Sequence, residues 1–281
     1  MAFSNFIPEI WNAQLLLDFR EAATAAALAN TQYEGDARVG NEVKITTAVD
    51  IAIKDYKANS RQTTPDAVDV TQTSLLIDQE KSFDFLIDDI DRRQAAGSMD
   101  VYTQSAGQGL AEDADQFLLA LAHTEAGIRL DGSGTPPADA EDAWDVLRDL
   151  RKRLNQNSVP LSDRIAYVNA EFAALLVGAD SKLTAVDTSG DSRGLREGTI
   201  GRVLGFRIIE TENLPVVDEP QVVALWRPAL AYVSQINETE ALRDVDSFSD
   251  RLRGLHVYGG KVVRPKAVAV WNVDAESGDE S

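Results

Sequence analysis

The chain predicts an α+β fold, in which helices and strands alternate irregularly and strands pair over long sequence distances. Three observations carry that prediction. Two stretches between Glu42 and Asp88 alternate apolar and polar residues with a period of two. Segments around 11–26 and 110–121 place apolar residues at helical spacing, and the last third is a series of short β-rich runs separated by turns.

The first helix opens near Pro8, which suits a first helical turn because its missing N–H has no partner to lose there. Trp11, Leu15, Phe19, Ala22 and Ala26 follow as a stripe on one helical face. The sequence GDARVGN at 35–41 is turn material. Beyond it Val43, Ile45, Val49, Ile51 and Ile53 share one face of an extended run, opposite Lys44, Thr46, Asp50 and Lys54. A second run sets Leu75, Ile77, Phe83, Phe85 and Ile87 against Ser74, Asp78, Glu80, Ser82, Asp84 and Asp88.

Successive strand side chains point to opposite faces, so both runs read as strands. At ~3.3 Å per residue each would reach roughly 40 Å, about twice an ordinary strand. Periodicity leaves two architectures open: a strand pair in a β-sandwich or barrel, or a projecting arm whose apolar face is covered by a neighbouring chain. Helices on both sides of the runs count against the sandwich, which usually proceeds strand after strand. The polar segment Lys57–Asp69 is the expected arm tip.

After the arm, Ser98 is a credible N-cap with Asp100 favourably placed in the helix dipole. Leu110, Ala114, Phe117 and Leu121 line the long helix that follows, which reaches about Ala126. Small residues at Ser105, Ala106, Gly107 and Gly109 predict close packing of its earlier turns. DGSGTPPAD is a loop, and Asp139 can cap a third helix carrying Ala143, Leu147, Leu150 and Leu154. RIAYVN at 164–169 reads as a buried strand, with Asn169 capping the short helix AEFAALLV. Strands are then expected at GRVLGFRIIET, QVVALWR and ALAYVSQI, and LHVYGGKVVRP and KAVAVWNV are expected to pair with each other across Pro265. The tail DAESGDES cannot bury surface and is expected to be disordered.

Composition narrows the function. With 281 residues the chain holds one large or two ordinary domains, and 44% apolar residues supply a sizeable core. Against 46 Asp plus Glu stand 27 Lys plus Arg, a net charge of -19, which argues against duplex binding through a basic face. There are no cysteines, hence no disulfides or thiolate metal sites. The N-terminus MAFSNFIPEIWNAQ is not a signal peptide, and no apolar run approaches the ~20 residues of a membrane span.

Catalytic signatures are lacking. GTIGRVLG at 198–205 has neither the GK[ST] ending of a phosphate loop nor the helix a dinucleotide fingerprint requires. His123 and His256 read as structural residues, because neither has a placed partner. The carboxylate groups Asp88-Asp89-Asp91 and Asp113-Asp115 read as solvated faces, and DGSGT at 131–135 as a turn. No cofactor or metal is expected, and the protein is not expected to be an enzyme; a metal enzyme built on the acidic clusters is a minor third possibility.

The ordered segments FIPEIWNAQLL, YEGDARVGNEVKI, TQTSLLIDQEKSFDFLIDDID, EGTIGRVLGFRIIETENLP and GLHVYGGKVVRPKAVAV resemble tailed-phage major capsid proteins of the HK97 fold, in register from about Phe6 to Val273. That resemblance implies a division of parts: an N-terminal arm at 1–35, an extended β-hairpin E-loop at 36–91, a peripheral domain with a long spine helix at 92–159, an axial domain at 160–240, peripheral return strands at 241–273 and an acidic tail at 274–281. It implies self-assembly into hexamers and pentamers of an icosahedral head enclosing double-stranded DNA, in a virion assembled in the bacterial cytoplasm without a membrane. The chain starts directly in the arm, so a separate scaffolding protein is expected, together with a portal and a decoration protein. An encapsulin-type nanocompartment of the same fold is the alternative. Intersubunit contacts are expected from Trp11, Ile51, Ile53, Lys54, Tyr56, Lys57, Arg61, Leu75 and Ile77. Some members of the fold form Lys–Asn cross-links between subunits; Lys54, Lys57 and Asn59 near the tip do not by spacing alone identify one.

Overall fold

A computed structural model of the chain describes residues 24–33, 40–48, 70–88, 100–131, 136–178, 201–216, 219–244 and 247–272, with positions 53, 55, 57, 61 and 62 between the first two long strands. Among the described residues it has helices α1 (Ala25–Leu28), α2 (Asp100–Thr124), α3 (Ala140–Gln156) and α4 (Ala170–Leu176). The strands are β1 (Glu42–Ala48), β2 (Val70–Leu76), β3 (Gln79–Asp88), β4 (Ile128–Asp131), β5 (Arg164–Val168), β6 (Arg202–Val203), β7 (Phe206–Glu210), β8 (Val222–Trp226), β9 (Leu230–Arg243), β10 (Ser249–Val262) and β11 (Val268–Asn272). The α+β class expected from the sequence is the one observed.

A six-stranded mixed sheet, in the order β4-β11-β8-β5-β7-β6, forms one half of the molecule. Its central strands RIAYV, VVALW and VAVW are apolar at nearly every position because helices cover both faces. Ile165, Tyr167, Val223, Leu225, Val268 and Val270 face α2, joining Leu110, Ala114, Leu118 and Leu119 in one core. The alternate residues Ala166, Val168, Val222, Ala224, Ala269 and Trp271 meet α3 and α4 in a second.

The two flanking helices start where the sequence places their caps. Asp139 accepts from the N–H groups of Glu141 and Asp142 at 2.9 Å, and Ala143, Leu147, Leu150 and Leu154 are fully buried. Asn169 Oδ1 accepts from Phe172 N–H at 3.2 Å and from Gln221 N–H at 3.0 Å, so one amide both caps α4 and ties it to the start of β8. Ser98 lies outside the described residues.

The second sheet has three long strands in the order β3-β10-β9. Val257 pairs with Ile236 and Tyr258 with Ser234, so Gln235 is the extra residue of a β-bulge in β9. On one face Leu230, Tyr232, Tyr258 and Val262 pack against α2. On the other, Ala231, Val233 and Val257 receive the β1–β2 hairpin through Val43, Ile45, Leu75 and Ile77.

Three strand assignments are corrected. GRVLGFRIIET is not one strand: a turn at Leu204 and Gly205, with φ 50 and 89, splits it into β6 and β7, which pair antiparallel. The second alternating run is not one strand of a long hairpin: β2 pairs with β1, whereas β3 leaves for the second sheet and pairs with β10. The chain stays extended across Ile77 and Asp78, so alternation continues although the partner changes; Ile77 N–H donates to Asn41 C=O at 2.9 Å and closes the hairpin base. Likewise β10 and β11 do not pair. A 3₁₀ turn at Pro265–Ala267 carries the chain from the second sheet to the first, where β11 lies between β4 and β8. Gly127 makes that crossing possible, since a Cβ there would sit 2.7 Å from the Pro265 carbonyl carbon.

Candidate assembly interface

The candidate surface for assembly comprises the hairpin, the outer half of the three-stranded sheet and the segment 24–33 held against α2. Val43, Ile45, Leu75 and Ile77 are each no more than 6% exposed, and each contributes about 1.5–3 kcal/mol gross by burial. The hairpin base is thereby fixed to its own subunit. Leu75 and Ile77, expected to meet a neighbour, are thus corrected to intrachain core: the face formed by β9 and β10 supplies the cover that the sequence could not locate.

Beyond the base, Ile53 is fully exposed, and Lys57 and Arg61 are exposed as well. Arg61 has φ 59, a left-handed turn conformation uncommon outside glycine, asparagine and aspartate. Trp11, Ile51, Lys54 and Tyr56 lie outside the described residues, as do Asn59 and the greater part of the tip.

The outer half of the three-stranded sheet, on the face that holds the hairpin further in, carries cross-strand ion pairs. Arg251 Nε donates to Asp84 Oδ1 at 2.8 Å, and Arg253 Nε to Glu240 Oε2 at 2.8 Å. The hydrogen-bonded Arg251 guanidinium holds the Asp84 carboxyl below the usual carboxylate range. Between these pairs Leu86, Leu242 and Leu255 remain exposed. Ser82, Asp84, Glu238, Glu240, Arg253 and Leu255 rim a depression of about 320 Å³. Phe248, at the turn joining β9 and β10, is 81% exposed.

The acidic pair on α2 is not a solvated face. Asp115 is 2% exposed and accepts from the N–H groups of Thr24, Ala25 and Ala26 at 3.0–3.1 Å and from Thr24 Oγ1 at 2.5 Å, holding the first turn of α1. The segment continues as a strap: Asn30 N–H donates to Leu230 C=O at 2.8 Å, and Tyr232 N–H to Asn30 C=O at 3.0 Å. Asp113 accepts from Tyr258 OH at 2.5 Å and pairs with Lys81 at 3.1 Å, tying α2 to β10 and β3. A carboxylate is distinguishable from its solvated neighbours only once the donors around it are known, and apart from Lys81 those donors are 89–145 residues away.

His256 is structural, as the sequence suggests. It is fully buried and stacked on Tyr258 at 4.7 Å, with Nε2 3.3 Å from Tyr232 OH and 3.2 Å from Ser234 Oγ. Burial pushes its pKa down from 6.5 to about 4, although Asp113 opposes that shift. The unfolded chain therefore binds the proton first, and stability falls as pH drops from 6.5 towards 4. Urea unfolding between pH 7 and 4.5 should cost the wild type about 2 kcal/mol more than it costs His256→Gln. Equal losses in both proteins would remove His256 from the acid response.

Among the described residues no group of His, Asp and Glu is arranged to hold a metal ion, and no helix is long and apolar enough to cross a membrane. What the described residues present is a two-sheet body with a short β-hairpin packed on the three-stranded sheet.

Comparison with known proteins agrees. The phage capsid protein family model matches residues 72–271. A chain from Mycobacterium phage Che8 superimposes with a TM-score of 0.80 at 52% identity, over 89% of this chain and 91% of that one. The capsid of cyanophage P-SCSP1u gives 0.69 at 17% identity over 83% of each chain, and a virus-like particle from Pyrococcus furiosus 0.65 at 15% over 95% of this chain and 100% of that one; these two show the fold alone. None of the curated proteins matches the chain. The chain therefore belongs to the phage capsid protein family, and its architecture is the HK97-like fold of tailed-phage major capsid proteins. Identity to a phage chain over nearly the full length favours the virion shell over the encapsulin alternative.

Proposed function

We propose that the chain builds hexamers and pentamers of an icosahedral head around double-stranded DNA, and that its hairpin is the principal intersubunit clamp. The observation that carries this reading is the fully exposed Ile53 on an arm whose base is anchored by four buried side chains. An apolar residue fully exposed beyond a base fixed to its own subunit gains burial by meeting another chain. The outer half of the three-stranded sheet, with Leu86, Leu242 and Leu255 between ion pairs, is the surface the neighbour's arm meets. Ile51, Lys54, Tyr56, Lys57, Arg61 and Trp11 remain the proposed contact residues, whereas Leu75 and Ile77 do not.

In this reading α2 is the spine helix, the three-stranded sheet belongs to the peripheral domain and the six-stranded sheet to the axial domain. α3 and β11 then go with the axial part, because both share its second core. Assembly takes place in the host cytoplasm with a separate scaffolding protein, a portal and a decoration protein as partners. The net charge of -19 lets packaged DNA slide past the inner wall without adhering.

Negative-stain microscopy of the purified chain, alone and co-expressed with its scaffolding protein, is expected to show closed shells of uniform size. A monodisperse small oligomer in both preparations would overturn the reading.

A further inference from the structure

In β10 two adjacent glycines carry the hairpin and the long helix on opposite faces of one strand. A Cβ on Gly259 would lie 2.8 Å from Ile77 Cα and closer still to the Leu76 carbonyl oxygen. A Cβ on Gly260 would lie 2.7 Å from Leu118 Cδ2 and 3.2 Å from Phe117 Cε1, on α2. The hairpin side is thus backbone resting on backbone, with no side chain between to take up a displacement by changing rotamer. Packed interiors transmit strain because they have few voids to absorb it.

The neighbouring contacts reinforce both sides of this junction. On the hairpin side, Gln235, the bulged residue of β9, donates through Nε2 to Gly40 C=O at 3.0 Å, at the entry to β1. On the helix side, Tyr258 donates to Asp113, and Glu125, just beyond the end of α2, accepts from Lys261 Nζ and from Val262 N–H. Within five residues, 258–262, β10 holds the hairpin base from one face and both the middle and the end of α2 from the other.

We infer that residues 257–262 of β10, with the Gln235 bulge, couple the position of the β1–β2 hairpin to that of α2, so that whatever docks on the hairpin is felt along the helix. This goes beyond a clamp role for the hairpin: it is a property of one chain, and its failure would leave the assembly reading standing.

Hydrogen exchange read by mass spectrometry on the full-length chain tests it, with wild type and variants in the same assembly state. Gly259→Ala alters the hairpin side alone. Exchange is expected to rise about tenfold in peptides 42–48 and 70–77 and to rise also in 110–122, which the substitution does not touch, with 140–156 unchanged as a control. Coupling is reciprocal, so Leu118→Ala is expected to raise exchange in 70–77. A hairpin response with 110–122 unchanged overturns the inference, as does an equal rise in 140–156, which would mean general destabilisation. Should Gly259→Ala fail to fold by circular dichroism, Gln235→Ala decides. It removes the hydrogen bond to Gly40 C=O on the hairpin side, and about a twofold rise in both hairpin and α2 peptides supports the coupling, while a rise confined to the hairpin refutes it.

Discussion

Replacing residues 49–69 with a two-residue Asn-Gly turn is expected to abolish shell formation while leaving a folded, soluble subunit. The expectation follows from where the hairpin's apolar residues lie. Val43, Ile45, Leu75 and Ile77 are buried against Ala231, Val233 and Val257, and all of them remain in the shortened protein. The register Ala48↔Val70 brings the two cut ends opposite each other, so a type I′ turn can close them without strain. What is lost is the segment 49–69, including the fully exposed Ile53. Circular dichroism and urea unfolding should stay near wild type, and electron microscopy should show no shells. Shells of normal size from the shortened chain would mean that assembly is held together elsewhere.

Asp115→Ala is expected to destabilise the subunit by about 2–4 kcal/mol, because it removes the acceptor for three backbone N–H groups and one hydroxyl at a buried site. Asp115→Asn keeps one acceptor oxygen and should cost less. The damage should be local first. Residues 24–33 are held by Asp115, by the Asn30 bridge to β9 and by Arg227 Nε, which donates to Leu28 C=O at 3.0 Å. Losing the first of these should expose the strap to protease before the sheets unfold. Urea titration with limited proteolysis checks both parts; a variant as stable and as resistant as wild type would show that the strap needs no carboxylate.

The two predictions differ in how far the sequence foretold them. The hairpin strands are legible because alternation is a local property: Val43 and Ile45 announce a strand with one buried face whatever lies beneath it. The identity of the cover was not local. Val233 and Val257 lie about 190–215 residues along the chain from Val43 and Ile45, and nothing in the hairpin's own pattern says that its base is covered in cis. Asp115 was illegible for the same reason. In a chain with 46 acidic residues it looks like any other, and only the N–H groups of Thr24, Ala25 and Ala26 single it out.

The fold follows the same division. Asp139 and Asn169 were readable as caps because a cap bonds to backbone two or three residues away. The apolar runs at 164–168, 222–226 and 268–272 were readable as strands because both faces demand cover. Sequence by itself therefore determined most of the helices and strands and, through ordered resemblance, the capsid fold. Tertiary structure alone decided the pairings: β3 with β10, β11 between β4 and β8, and the hairpin base on β9 and β10. Periodicity records which way side chains point, but hydrogen-bond partners and cover are chosen by long-range packing, and an extended strand of a given pattern can satisfy its N–H and C=O groups with more than one neighbour.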